Sequence, residues 1–105
     1  MRDLNFKIST LKVVDTLMDE VILITEKIDL LRLHTQVKGK IEYYELLTEY
    51  RDCVGESAVT MKTLLNELEH DDISNEEIHS SLKDIFNILN TVDNDVDKIV
   101  SVLRW

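Results

Sequence analysis

A chain of 105 residues with a formal net charge of −9, no proline, two glycines and one cysteine leaves few architectures open. Phosphate binding needs a positive patch, so nucleic acid and anionic membrane are excluded as expected partners. A β protein of this size needs many turns, and turns use glycine and proline, so their scarcity points to a few long helices.

The lone Cys53 cannot form an internal disulfide, and a reducing compartment is expected. Met1-Arg2-Asp3 leads into a mixed stretch without the apolar core of a signal peptide. No apolar run approaches the roughly 20 residues that span a bilayer. The expected location is cytoplasmic, with export without a cleaved signal peptide as the alternative.

Residues 1–9 alternate Leu4, Phe6 and Ile8 with polar side chains, a period of two over too few positions to form a sheet. The reading is a short extended or frayed lead. A first helix is then expected over about residues 10–33. Val14, Leu17, Val21, Ile24, Ile28 and Leu31 keep an alternating three-four spacing, the seam of a packed helix. Ile22, Leu23, Leu30 and Leu33 lie off that seam. A helix apolar on more than one face is covered on more than one face, so these four are candidate protein-interaction residues.

The seam loses phase after His34, and Gly39 falls in the break. Glycine costs roughly 1 kcal/mol in a helix interior relative to alanine. A turn near residues 34–40 is expected, with a kinked continuous helix as the alternative.

A second helix over about residues 41–69 carries the seam Tyr43, Leu47, Tyr50, Val54, Ser57, Met61, Leu64 and Leu68. Gly55, Ser57 and Ala58 form a small-residue patch where another backbone can come close or the helix can break. Tyr and Trp are enriched at interface hot spots. Tyr44, just after the turn, and Trp105, the last residue, therefore join the candidate interaction residues, whereas Tyr43 and Tyr50 read as core.

The segment His70-Asp71-Asp72-Ile73-Ser74 reads as a loop. Ser74 followed by Glu77 is a capping box that starts a third helix over about residues 75–104. Its seam is the most regular in the chain: Ile78, Leu82, Ile85, Leu89, Val92, Val96, Ile99 and Leu103. Phe86, Ile88, Val100 and Val102 widen the stripe beyond what a two-stranded coiled coil uses. Asp93, Asp95 and Asp97 read as a solvated face.

The expected fold is therefore all-α, a three-helix antiparallel bundle with heptad-type packing in a single helical domain. The alternative is a long helical hairpin or coiled coil that oligomerises.

One pattern resembles metal chemistry. Glu67-Leu68-Glu69-His70 and Glu76-Glu77-Ile78-His79 are both Glu-x-x-His, the spacing that builds di-iron and di-manganese sites when the ligands project into a bundle core. Here Leu68 and Ile78 hold the seams, which leaves Glu67 at the edge of one and His79 beside the other, with His70 and Glu76 outside, so the four do not project into the core together. No metal, cofactor or catalytic residue is assigned on this basis. No phosphate-binding glycine loop, nucleophile elbow or metalloprotease motif occurs either, and the chain is not expected to be an enzyme.

The functional expectation is a small acidic helical interaction module, a subunit or adaptor of a homo- or hetero-oligomeric complex. Its protein partner is itself or another helical protein. The alternative is a dedicated chaperone, targeting partner or inhibitor that binds a single effector protein, a role small acidic helical proteins play in bacterial secretion and phage systems.

Overall fold

A computed structural model describes residues 2–70 and 72–103, so Asp71 and Trp105 lie outside the described residues. The described residues form three helices, α1 (Leu4–Val37), α2 (Ile41–Glu67) and α3 (Asn75–Leu103), and no strand. They make an all-α three-helix bundle, a rod of 54 × 18 × 16 Å. The 34 residues of α1 account for its length, since 34 residues at 1.5 Å each span about 51 Å.

The core follows the three seams. Val14, Leu17, Val21, Ile24, Ile28 and Leu31 of α1 are all buried. So are Leu47, Val54, Ser57, Met61 and Leu64 of α2, and Ile78, Leu82, Ile85, Leu89, Val92, Val96 and Ile99 of α3. Two threonines extend the α1 seam at its ends, Thr10 and Thr35. Thr35 is fully buried and its hydroxyl donates to the Arg32 carbonyl at 3.0 Å, which offsets the cost of removing it from water. Tyr43 and Tyr50 are half-buried at the edge of the core.

The ends of the helices differ from the periodicity. Helix α1 begins at Leu4, not near residue 10, because Asp3 caps it: its carboxylate accepts from the Asn5 amide at 3.1 Å. The alternation of Leu4, Phe6 and Ile8 is thus one turn of helix with Phe6 turned inward and its two neighbours outward. At the other end α1 runs on to Val37, past the last seam leucine, and Lys40 donates its amide to the Thr35 carbonyl at 2.8 Å.

Gly39 has φ +71°, a left-handed conformation that reverses the chain within three residues. The break is therefore a turn rather than a kink, and α1 and α2 pack antiparallel. Helix α2 is continuous through Gly55, where an added Cβ would meet no atom within 4 Å, so no neighbouring backbone approaches there.

The loop between α2 and α3 is held by Arg2. Its guanidinium donates to the carbonyls of Glu67, His70 and Ile73 and to the Asn75 side chain. The Glu67 carbonyl is at the end of α2, where a cation meets the negative end of the helix dipole, and the His70 and Ile73 carbonyls belong to the loop itself. Ser74 accepts from the Glu77 amide at 3.1 Å, which supplies the start of α3. Because the start of α1 touches the start of α3, these two helices run parallel, with α2 opposed to both.

Candidate functional site

The outer face of α1 is the candidate surface. Core residues fall on one side of this helix, and at 100° per residue Leu23, Leu30, Leu33 and Val37 fall on the other. The structure leaves Ile22, Leu23, Leu30 and Leu33 between 53% and 59% exposed, and Val37 75% exposed. Leu23, Leu30 and Val37 are seven apart, and Leu33 sits three after Leu30, so the face carries a second heptad seam interrupted only at Glu26. Ile41, at the start of α2, is 65% exposed just beyond the turn. Val37 and Ile41 extend the candidate set beyond Leu33, where the turn interrupts the periodicity.

Tyr44 is in a different situation. It is half-buried, and Arg32 of α1 engages it twice, with its guanidinium carbon 5.1 Å from the ring centroid and an N–H donated to the hydroxyl at 3.3 Å. Arg32 also donates to the Thr48 hydroxyl at 3.2 Å. Nearby, Asp29 accepts from Arg51 at 2.7 Å. Tyr44 thus belongs to a polar clasp between α1 and α2 and stands apart from the apolar stripe of Leu23, Leu30, Leu33 and Val37.

The aspartates of α3 are also partnered. Lys27 of α1 reaches Asp93 and Asp97, each at 2.8 Å. Burial lowers the pKa of the Lys27 ammonium, but the hydrogen bonds and charges of both aspartates outweigh it, and the result is above the ordinary value. The Tyr50 hydroxyl of α2 donates to Asp95 at 3.2 Å, and burial together with the Asp95 charge raises the tyrosine pKa. Asp93, Asp95 and Asp97 are half-solvated, yet they latch α3 to both neighbours. Nothing in the spacing along α3 alone carries that signal, because it depends on which residues of α1 and α2 stand opposite.

A furrow of about 440 Å³ runs between α1 and α3. Phe6, Val13, Leu17, Leu82 and Phe86 make it apolar, and His79 and Lys83 stand along it. Phe86, noted for widening the α3 stripe, is 52% exposed there.

The Glu-x-x-His residues lie near the loop end of the bundle, with Glu67 half-buried and His70, Glu76 and His79 exposed. Among the described residues no group of three or more His, Cys, Asp and Glu side chains is placed to hold a metal ion. Cys53 is a half-buried free thiol in α2. Among the described residues no helix is long and apolar enough to cross a membrane.

No family model, curated protein or solved structure matches this chain.

Proposed function

We propose that this chain is a helical protein–protein interaction module, a subunit or adaptor of an oligomeric complex, and that the outer face of α1 is its contact surface. The observation that carries the reading is the exposure of Ile22, Leu23, Leu30 and Leu33, four large aliphatic side chains on one helix, each more than half in water. Isolated exposed leucines are ordinary on any surface. A set gathered on one helix face, with Leu23, Leu30 and Leu33 at heptad spacing, marks a binding face. Covering a half-exposed leucine or isoleucine contributes about 1 kcal/mol, and only the surplus over the cost of association appears as affinity.

The partner on this reading is itself or another helical protein. The acidic surface disfavours nucleic acid, and a cytoplasmic setting keeps Cys53 reduced.

The test is the double variant Leu23→Glu/Leu30→Glu, followed by sedimentation velocity and circular dichroism. Both positions lie outside the core, so helix content and thermal midpoint should stay near those of the parent while association is lost. An oligomer that survives the double substitution, or a variant that unfolds, contradicts the reading.

A further inference from the structure

We infer that the occupant of the outer face of α1 is the same face of a second copy, laid antiparallel about a two-fold axis near the middle of the 23–37 stripe. The inference rests on the interaction reading and adds the partner and its direction.

Charge along α1 decides the direction. Residues 15–29 hold five acids, Asp15, Asp19, Glu20, Glu26 and Asp29, against the single base Lys27. Lys27 is already committed to Asp93 and Asp97, and Asp29 to Arg51 and Arg32, which leaves Asp15, Asp19, Glu20 and Glu26. Residues 30–41 hold no acid and carry Arg32, Lys38 and Lys40; the next acid, Glu42, lies beyond the turn in the first turn of α2. Arg32 is turned into the clasp with Tyr44, whereas Lys38 and Lys40 are exposed. The stripe therefore runs from an acidic segment to a basic one.

A parallel pair would stack acid on acid and place Glu26 beside Glu26 of the copy. An antiparallel pair lays the acidic segment of each copy along the basic end of the other. An axis close to residues 28–30 then brings Leu30 near Leu30 of the copy and Leu23 beside Leu33 and Val37. Each Glu26 faces the acid-free end of its neighbour. Such a contact is isologous and closes on itself, so it gives a dimer rather than a filament.

The experiment is oxidative cross-linking of the full chain in a Cys53→Ser background, with single cysteines at surface positions. Leu30→Cys should link to itself. Leu23→Cys should not, because antiparallel pairing separates the two sites by about 15–20 Å along the helix, well beyond disulfide reach. A mixture of Leu23→Cys with Leu33→Cys or Val37→Cys should link across copies.

Reversing Lys38→Glu with Lys40→Glu should weaken the dimer roughly tenfold or more, because the two-fold axis repeats each contact and about four exposed ion pairs are lost. Adding Asp19→Lys with Glu20→Lys should restore it. Self-linking of Leu23→Cys as fast as Leu30→Cys overturns the direction, and failure of every pair to link overturns the second copy as occupant. The interaction reading fails separately, when the Leu23→Glu/Leu30→Glu variant keeps its association.

Discussion

The ammonium of Lys27 lies 2.8 Å from the carboxylate of Asp93, and this contact, doubled by Asp97 one helical turn on, ties α1 to α3. The two helices run parallel, so no short connection sets their relative height; apolar seams alone tolerate a slide of one turn. A lysine that must meet two aspartates four residues apart does not. Replacing Lys27 with Met keeps the aliphatic stem and removes the charge. The pairs are partly exposed, so the expected loss is about 0.5–1 kcal/mol, measured by urea unfolding, with a smaller effect at high salt.

The Lys27 latch and the separate Tyr50–Asp95 contact should together shape the alkaline limb of stability. Lys27 and Tyr50 both have pKa values raised above their ordinary ones, which are 10.5 and 10.0. In both cases the folded chain holds its proton more tightly than the unfolded chain. The stabilisation is fully present below the ordinary values and is lost as pH rises through the folded ones. These two groups should leave stability flat from pH 7 to about 9 and lower it above about 10. Thermal midpoints across that range should fall less steeply in Tyr50→Phe combined with Lys27→Met than in the parent; an equal slope in both would remove these groups as the cause.

At the turn, Gly39→Ala separates two sources of cost. A Cβ at Gly39 would meet no atom within 4 Å, so no steric clash is added. The left-handed φ of +71° remains, and an L residue pays about 1–2 kcal/mol there. Gly39→Asn should cost less, because asparagine tolerates that region. Chemical denaturation of both variants checks the order Gly, Asn, Ala.

Arg2 is the third constraint. Arg2→Ala removes donors to the Glu67 carbonyl at the end of α2, to the His70 and Ile73 carbonyls of the loop and to Asn75. Each such bond contributes modestly, about 1 kcal/mol net, and the loop should open before the bundle melts. Hydrogen exchange should quicken around residues 66–75 and in the first turn of α1, with the middle of α3 unchanged. Uniform quickening would mean that Arg2 supports the whole bundle.

Reading the chain as periodic patterns located the interior well, because burial on a straight helix is decided by phase. Val14 through Leu31 and Ile78 through Ile99 lie in the core for that reason alone. What periodicity does not contain is the contact between elements. The extension of α1 back to Leu4 depends on Asp3 and on an arginine that reaches a loop 65 or more residues away. The latch of Lys27 to Asp93 and Asp97 depends on register between helices. The surplus leucines of α1 are visible in the sequence as breaks of phase, and Val37 and Ile41 are missed because the turn interrupts the count.

Ile28 and Leu30 give the sharpest internal contrast. They are two residues apart on α1, one fully buried and the other 58% exposed. Ile28→Ala should cost about 2–5 kcal/mol by opening a cavity. Leu30→Ala should leave the stability of the monomer within about 0.5 kcal/mol, and should act on association instead. Unfolding followed at several protein concentrations distinguishes the two: the Leu30 effect fades on dilution, and the Ile28 effect persists.

The most direct measurement is the light-scattering mass of the chain alone, taken across a dilution series from the highest soluble concentration. The outer face of α1, paired with itself, predicts twice the chain mass, falling toward the single-chain mass on dilution and absent in Leu23→Glu/Leu30→Glu. A chain that keeps the single-chain mass at every concentration contradicts the pairing of this face with a second copy.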